Sequence, residues 1–351
     1  MDVLDLETVL EQLNLNAPPE KTAEAVCLPF QPSEDLAWVK AQNLNSIDRY
    51  LYRIFDHRSD GLTNEVWVKS RDACMTDRRS TQDVFARSDK NNVAELVNRH
   101  LRWDYQKYKL DNLVSWTSSM LFALQYAFYR NSKHGTPLSQ IKLCMVDTKY
   151  LPANVVIKDM GLIDAFAEHD ESGLVWDLPS LQLLRNKRHS TYVGSFYFGE
   201  YLSQGALKIE GHCKVVTIQK LVQAGLTRLR PELPIFNNVK EHWANKVIAM
   251  RQTFSPMSEG SILLPDSIVD GAISIGDLFG PRWKLPMTTA FLALENRQGI
   301  GDVLRRAFNR HPELLGMFNS CPRKESTNRH RSRYRRLLAR GHTSRSARNA
   351  P

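Results

Sequence analysis

From Tyr50 to Ile218 the spacing of apolar residues switches repeatedly between period two and period 3.6, and this alternation constrains the fold most. A chain so patterned reads as a mixed α and β domain, and its 42% hydrophobic and 24% charged residues exclude a disordered or fibrous protein. YLYRIF at 50–55 reads as the first strand, with Tyr52 and Ile54 on one face and Leu51, Arg53 and Phe55 on the other. A helix is predicted over 93–105, a strand over 112–115, a helix over 119–129 and a strand over 141–146. Further strands are predicted at 155–157, 195–202 and 215–218, with short helices at 160–166, 178–184 and 218–224. The breaker RLRPELP closes this region at Pro234. Beyond it strand signals are scarce, and helical spacing recurs at 239–253, 287–295 and 301–308. The expected organisation is an N-terminal helix and loop (1–44), an α+β domain (45–234), a helical region (235–320) and a disordered Arg-rich tail (321–351).

Charge supports the last boundary. The chain carries a formal +9, and 321–351 hold ten of its 47 Lys and Arg but one of its 38 acids, Glu325. Residues 1–320 therefore hold 37 of each and are neutral. Any attraction to nucleic acid rests on the tail alone, where dense arginine would meet phosphates without reading sequence. The N-terminus, MDVLDLETVLEQLNLNAPPE, has acids where a secretory leader needs positive charge and reads as a short amphipathic helix. No apolar run approaches the roughly 18–20 residues of a membrane span. Five scattered cysteines (27, 74, 144, 213 and 321) lack CxxC or Cys/His ligand spacing, so reduced thiols and no metal are expected. The expected setting is cytoplasmic or nuclear, with no membrane partner.

P-loop, Rossmann, HExxH, GxSxG and kinase signatures are all absent. Three local features remain. Arg53 shares a strand face with two large apolar residues and is either a snorkelling or ion-paired arginine or a guanidinium fork for a phosphate or carboxylate. The cluster Ser115-Trp116-Thr117-Ser118-Ser119 joins a strand to the helix MLFALQYAFY. Ser118 or Ser119 can cap that helix, and Ser115 and Thr117 alternate onto one strand face where they can line a site together. Glu200 lies within the aromatic pattern SFYFGEYL and is either a strand-edge acid facing solvent or a carboxylate held in a site. His100, on a predicted helix, reads as structural.

In this order, LYRIFD, SWTSSMLFALQYA and GEYLSQGAL resemble the Arg–Ser–Glu pattern of ADP-ribosyltransferases. More closely, 51–233, with His100-Leu101-Arg102-Trp103 and Val146-Asp147-Thr148, is similar to an uncharacterised domain family of filamentous fungi with an ADP-ribosyltransferase-like fold. The resemblance implies mixed sheets with flanking helices and NAD as substrate. It implies Arg53 gripping a phosphate or ribose, Ser115 and Thr117 orienting the nicotinamide-ribose end, and Glu200 facing the developing ribose cation. Trp116 and Ser118 would complete the cofactor-binding set. Two departures stand out. Phe198 occupies the place two before Glu200, where transferases acting on arginine or asparagine carry Glu or Gln for the acceptor. Trp116 replaces a small residue, either stacking on nicotinamide or filling the pocket. The resemblance thus leaves two classes, an NAD-dependent ADP-ribosyltransferase or NAD glycohydrolase, with a protein as one candidate acceptor, and a catalytically inactive binding protein of the same fold.

Overall fold

The computed structural model describes residues 27–75, 82–104, 111–171, 179–184, 197–236, 243–252 and 265–294. The chain divides into two compact units, 1–304 and 305–351, and every described residue lies in the first. The N-terminal helix, the helix expected at 301–308 and the Arg-rich tail lie outside the described residues.

The strands are β1 (Tyr50–Phe55), β2 (Leu62–Thr63), β3 (Trp67–Lys69), β4 (Leu113–Thr117), β5 (Lys142–Asp147), β6 (Ile157–Lys158), β7 (Glu200–Gln204), β8 (Ala206–Lys208) and β9 (Cys213–Thr217). Among the described residues the α-helices of four or more residues are α1 (Arg71–Cys74), α2 (Lys90–Arg102), α3 (Met120–His134), α4 (Asp159–Phe166), α5 (Ile218–Gln223), α6 (Leu226–Leu229), α7 (Trp243–Gln252), α8 (Asp266–Asp277) and α9 (Pro281–Leu292). Six strands form one sheet in the order β6-β7-β4-β1-β5-β9, and β2-β3-β8 form a second.

Among the described residues every pair of neighbouring strands is antiparallel, which corrects the expectation of mixed sheets. The reason lies in one connection. Helix α3 carries the chain from β4 to β5 in a parallel sense, but β1 lies between these two strands, so they never become neighbours.

Local sequence accounts for the elements that frame the site. Strand β1 forms where the period-two pattern places it. Helix α2 buries Val93, Ala94, Leu96, Val97 and Leu101 at helical spacing, and His100 is buried with them. It ends at Trp103, whose φ of 61° is left-handed. Helix α3 starts at Ser119, whose Oγ accepts the Phe122 amide at 3.3 Å, and stops at Gly135 with φ 66°. Apolar clusters among the described residues pack against the six-stranded sheet. One joins α2, α4 and the segment from Phe30 to Leu44 to Leu113, Ile157 and Leu202. Another packs Leu51, Phe55, Val114, Trp116, Cys144 and Val146 against Val68 and Leu207 of the smaller sheet.

Several boundaries differ from the sequence reading. Of the strand expected over 195–202, 195–196 lie outside the described residues, and among the rest β7 begins at Glu200, because Gly199 adopts φ 64° and its carbonyl accepts the Ser118 amide at 2.8 Å. The short helix expected at 178–184 is a 3-10 turn, Leu181–Leu183, as far as it is described. The helix expected over 287–295 starts at Pro281 instead of Met287, since proline at the first helical position sacrifices no hydrogen bond. Strands β2, β3 and β8 were not expected, being two or three residues long, too short for alternation to show. Helix α7 packs on α3, and the α8–α9 hairpin reaches α6.

Candidate active site

Strands β1 and β5 register over six residue pairs and β4 and β7 over five, whereas β1 and β4 register only at Tyr52↔Thr117. The large sheet therefore parts between β1 and β4. Arg53 occupies the parting: its Nη1 donates to the Ser115 carbonyl at 2.9 Å and its Nε to Thr63 Oγ1 at 3.1 Å. A guanidinium thus meets the edge of β4 where a strand would otherwise do so, and it links the two sheets.

A pocket of about 430 Å³ opens at this parting, within the usual range of small-molecule sites. Arg53, Ser115, Trp116, Thr117 and Glu200 all line it, so the structure brings together five of the six residues singled out from sequence. Register explains part of this convergence. Thr117 lies opposite Glu200 and Ser115 opposite Leu202, which puts Ser115, Thr117 and Glu200 on one face. Glu200 is half-buried at the start of β7.

The hydroxyls have different jobs. Thr117 Oγ1 donates to the Phe198 carbonyl at 2.7 Å and accepts the Ser119 amide at 3.0 Å, so this side chain clamps the strand-helix junction. Ser118 does not line the pocket; its amide holds Gly199. Ser119 is the helix cap, deciding between the two serines. Trp116 is only 2% exposed, and its indole N–H donates to Ser203 Oγ at 3.0 Å within the apolar cluster between the sheets. Phe198 is buried and stacked on Phe122 at 4.5 Å, with the Arg251 guanidinium 4.6 Å from its ring centre.

Ser115 has a partner that the sequence did not reveal. Its Oγ lies 2.7 Å from His100 Nε2, while His100 Nδ1 lies 2.6 Å from Asp111 Oδ2. Asp111 is anchored in turn, its Oδ1 accepting the Leu113 amide at 2.9 Å. All three residues line the pocket. A buried histidine on the apolar face of a helix gives no hint of this, because the contact depends on α2 lying beside β4.

The remaining wall combines aromatic and basic groups. The Trp103 and Tyr126 rings lie 4.8 Å apart, and Arg58, Arg71 and Arg130 also line the pocket. Arg130 is committed to Asp56: its Nε donates to Oδ2 at 2.8 Å, its Nη2 to Oδ1, and its Nη1 to Tyr126 Oη at 2.8 Å. Burial raises the Tyr126 phenol, which keeps it protonated. At the rim, partial burial and the nearby Arg130 and Arg58 hold His134 below the ordinary imidazole value. Among the described residues no group of three His, Cys, Asp or Glu side chains is placed to hold a metal. Nor is any described helix long and apolar enough to cross a membrane. The four described cysteines, Cys27, Cys74, Cys144 and Cys213, are unpaired.

Fold and site together define a mixed α+β protein with antiparallel sheets and a pocket at their parting. Residues 46–208, from the approach to β1 through the end of β8, match the model of a family described as a domain of unknown function (DUF7587). Searches of curated proteins and of solved structures gave no match.

Proposed function

We propose that this pocket binds and cleaves NAD, as an ADP-ribosyltransferase or NAD glycohydrolase. The observation that carries the reading is the convergence of Arg53, Ser115 and Glu200, from three different strands, on one cavity. Their order along the chain is the Arg–Ser–Glu order of the resemblance. On this reading the matched segment is an ADP-ribosyltransferase-like domain of the kind found in filamentous fungi, acting in the cytoplasm or nucleus.

Cleavage of the nicotinamide–ribose bond builds positive charge on the sugar, which a carboxylate facing it stabilises. Glu200 takes that role and accepts a hydrogen bond from the ribose 2′-hydroxyl. Arg53 supplies the fork for a phosphate or ribose. Ser115 orients the nicotinamide-ribose end. Thr117 acts through the backbone it clamps, and Trp116 through the wall it buttresses. The acceptor is a protein side chain or water; the place two before Glu200 is filled by buried Phe198 and offers no acid to an arginine acceptor.

The test is nicotinamide release by the full chain, wild type beside Glu200→Ala. Loss of one charged group aimed at the transition state is worth about 3–4 kcal/mol, so the rate should fall on the order of a hundredfold to a thousandfold. A wild type that releases no nicotinamide would refute the reading and leave a binding protein of the same fold, for which the buried Trp116 and the internally bonded Thr117 are the supporting observations.

A further inference from the structure

The NAD reading gives no task to His100 or Asp111, yet these two residues and Ser115 form an unbroken hydrogen-bonded chain. We propose that Ser115 is a nucleophile activated by His100 and Asp111 for acyl transfer from a small ester or thioester. The assignment shares Ser115 and Arg53 with the NAD reading and is tested apart from it, since it requires His100 and Asp111 and leaves Glu200 aside.

The geometry meets the requirements of a general-base relay. The Asp111 carboxylate at 2.6 Å takes the proton-bearing Nδ1 of His100, which leaves the Nε2 lone pair facing Ser115 Oγ at 2.7 Å. The bond from the Leu113 amide fixes the carboxylate, and the imidazole, 4% exposed on α2, is held by its helix. Ser115 is half-buried and reachable from the cavity. The other edge of the reaction is also provided for. Ser115 has no registered partner on β1, Arg53 Nη1 meets its carbonyl, and its amide leaves the strand on that same edge. A guanidinium and an N–H therefore border the space where an oxyanion would develop. Phe122, Trp103 and Tyr126 offer an aromatic wall to an apolar acyl group.

In the step proposed, Ser115 Oγ bonds to the acyl carbon while its proton passes to His100 Nε2. Collapse of the tetrahedral adduct breaks the bond to the leaving alcohol or thiol, which departs with that proton. Water then attacks the acyl-serine by the same route, releasing the carboxylic acid and restoring the Ser115 hydroxyl.

The test is labelling of the full chain by a fluorophosphonate, in which a Ser115 Oγ–P bond forms, the P–F bond breaks and fluoride leaves. Mass spectrometry of the wild type should place one adduct on the peptide bearing Ser115. His100→Ala should slow labelling at least a hundredfold and Asp111→Asn at least tenfold, while hydrolysis of p-nitrophenyl butyrate falls in parallel. Mapping the wild-type adduct needs no variant, so it stands even if a substitution impairs folding. No adduct, an adduct elsewhere, or an unchanged rate in His100→Ala in a folded protein would overturn the proposal. Nicotinamide release measured on the same preparation separates the two readings. Adduct without release retains this assignment and removes the other, and release without adduct does the reverse.

Discussion

Asp56→Ala should be among the most damaging single substitutions next to the pocket, and its cost can be worked from the structure. Asp56 follows β1, its side chain is fully buried, and its partner Arg130 is 10% exposed. The carboxylate accepts two bonds from that guanidinium and a third, at 2.8 Å, from the Arg58 amide. Removing it leaves a buried cation held only by Tyr126 Oη. An uncompensated charge of this kind costs about 3–5 kcal/mol, and the lost amide bond about 1 kcal/mol more. The open pocket lets water reach part of the guanidinium, so we take about 4 kcal/mol in all, a fall in Tm on the order of 10 °C for a unit of this size. Urea unfolding of the full chain, followed by far-UV circular dichroism, measures it. Adding Arg130→Met should recover most of the loss, because the cost lies in the unpaired charge. The pH dependence follows from the same contacts. Burial pushes the Asp56 carboxyl up, but the Arg130 and Arg58 hydrogen bonds outweigh it and hold the carboxyl below its ordinary value. A depressed carboxylate stabilises the fold above its unfolded value of about 3.9 and loses that contribution as the pH falls through the folded value. The gap between wild type and variant should therefore be full near neutrality and narrow below about pH 4. A destabilisation under about 1 kcal/mol, or a gap that does not change with pH, would show the pair to be solvated and refute the reasoning.

Two further tests address other parts of the chain. A Cβ at Gly199 would lie 2.3 Å from Ser118 Oγ in a backbone of φ 64°, so Gly199→Ala should destabilise the protein by about 1–3 kcal/mol and lower nicotinamide release by shifting Glu200; wild-type values in both assays would show that the junction yields freely. Deleting 323–351 should abolish salt-dependent retention on immobilised DNA, and undiminished retention would move nucleic-acid binding to the body of the protein.

The elements legible in the sequence are those whose instructions lie within a few residues of one another. Strand β1 is written in a period-two pattern and the start of α3 in a capping serine, each read by the backbone beside it, whereas α3 runs on to His134, past the 129 that its apolar spacing predicts, and stops at Gly135. The alternation of Ser115 and Thr117 onto one strand face follows from the same two-residue period. The three-residue strands of the second sheet leave no such trace, and the left-handed Gly199 shortened β7 where alternation alone ran on. Tertiary structure alone decided that the sheet parts between β1 and β4, that the Arg53 side chain enters the parting, and that His100 comes within 2.7 Å of Ser115. Each depends on register or helix placement set by packing among segments brought together from different parts of the chain, to which local spacing is blind. Sequence thus determined which chemical groups the protein carries on its strands and helices. Packing determined which of them meet, because a side chain's neighbours in space are chosen by the whole core.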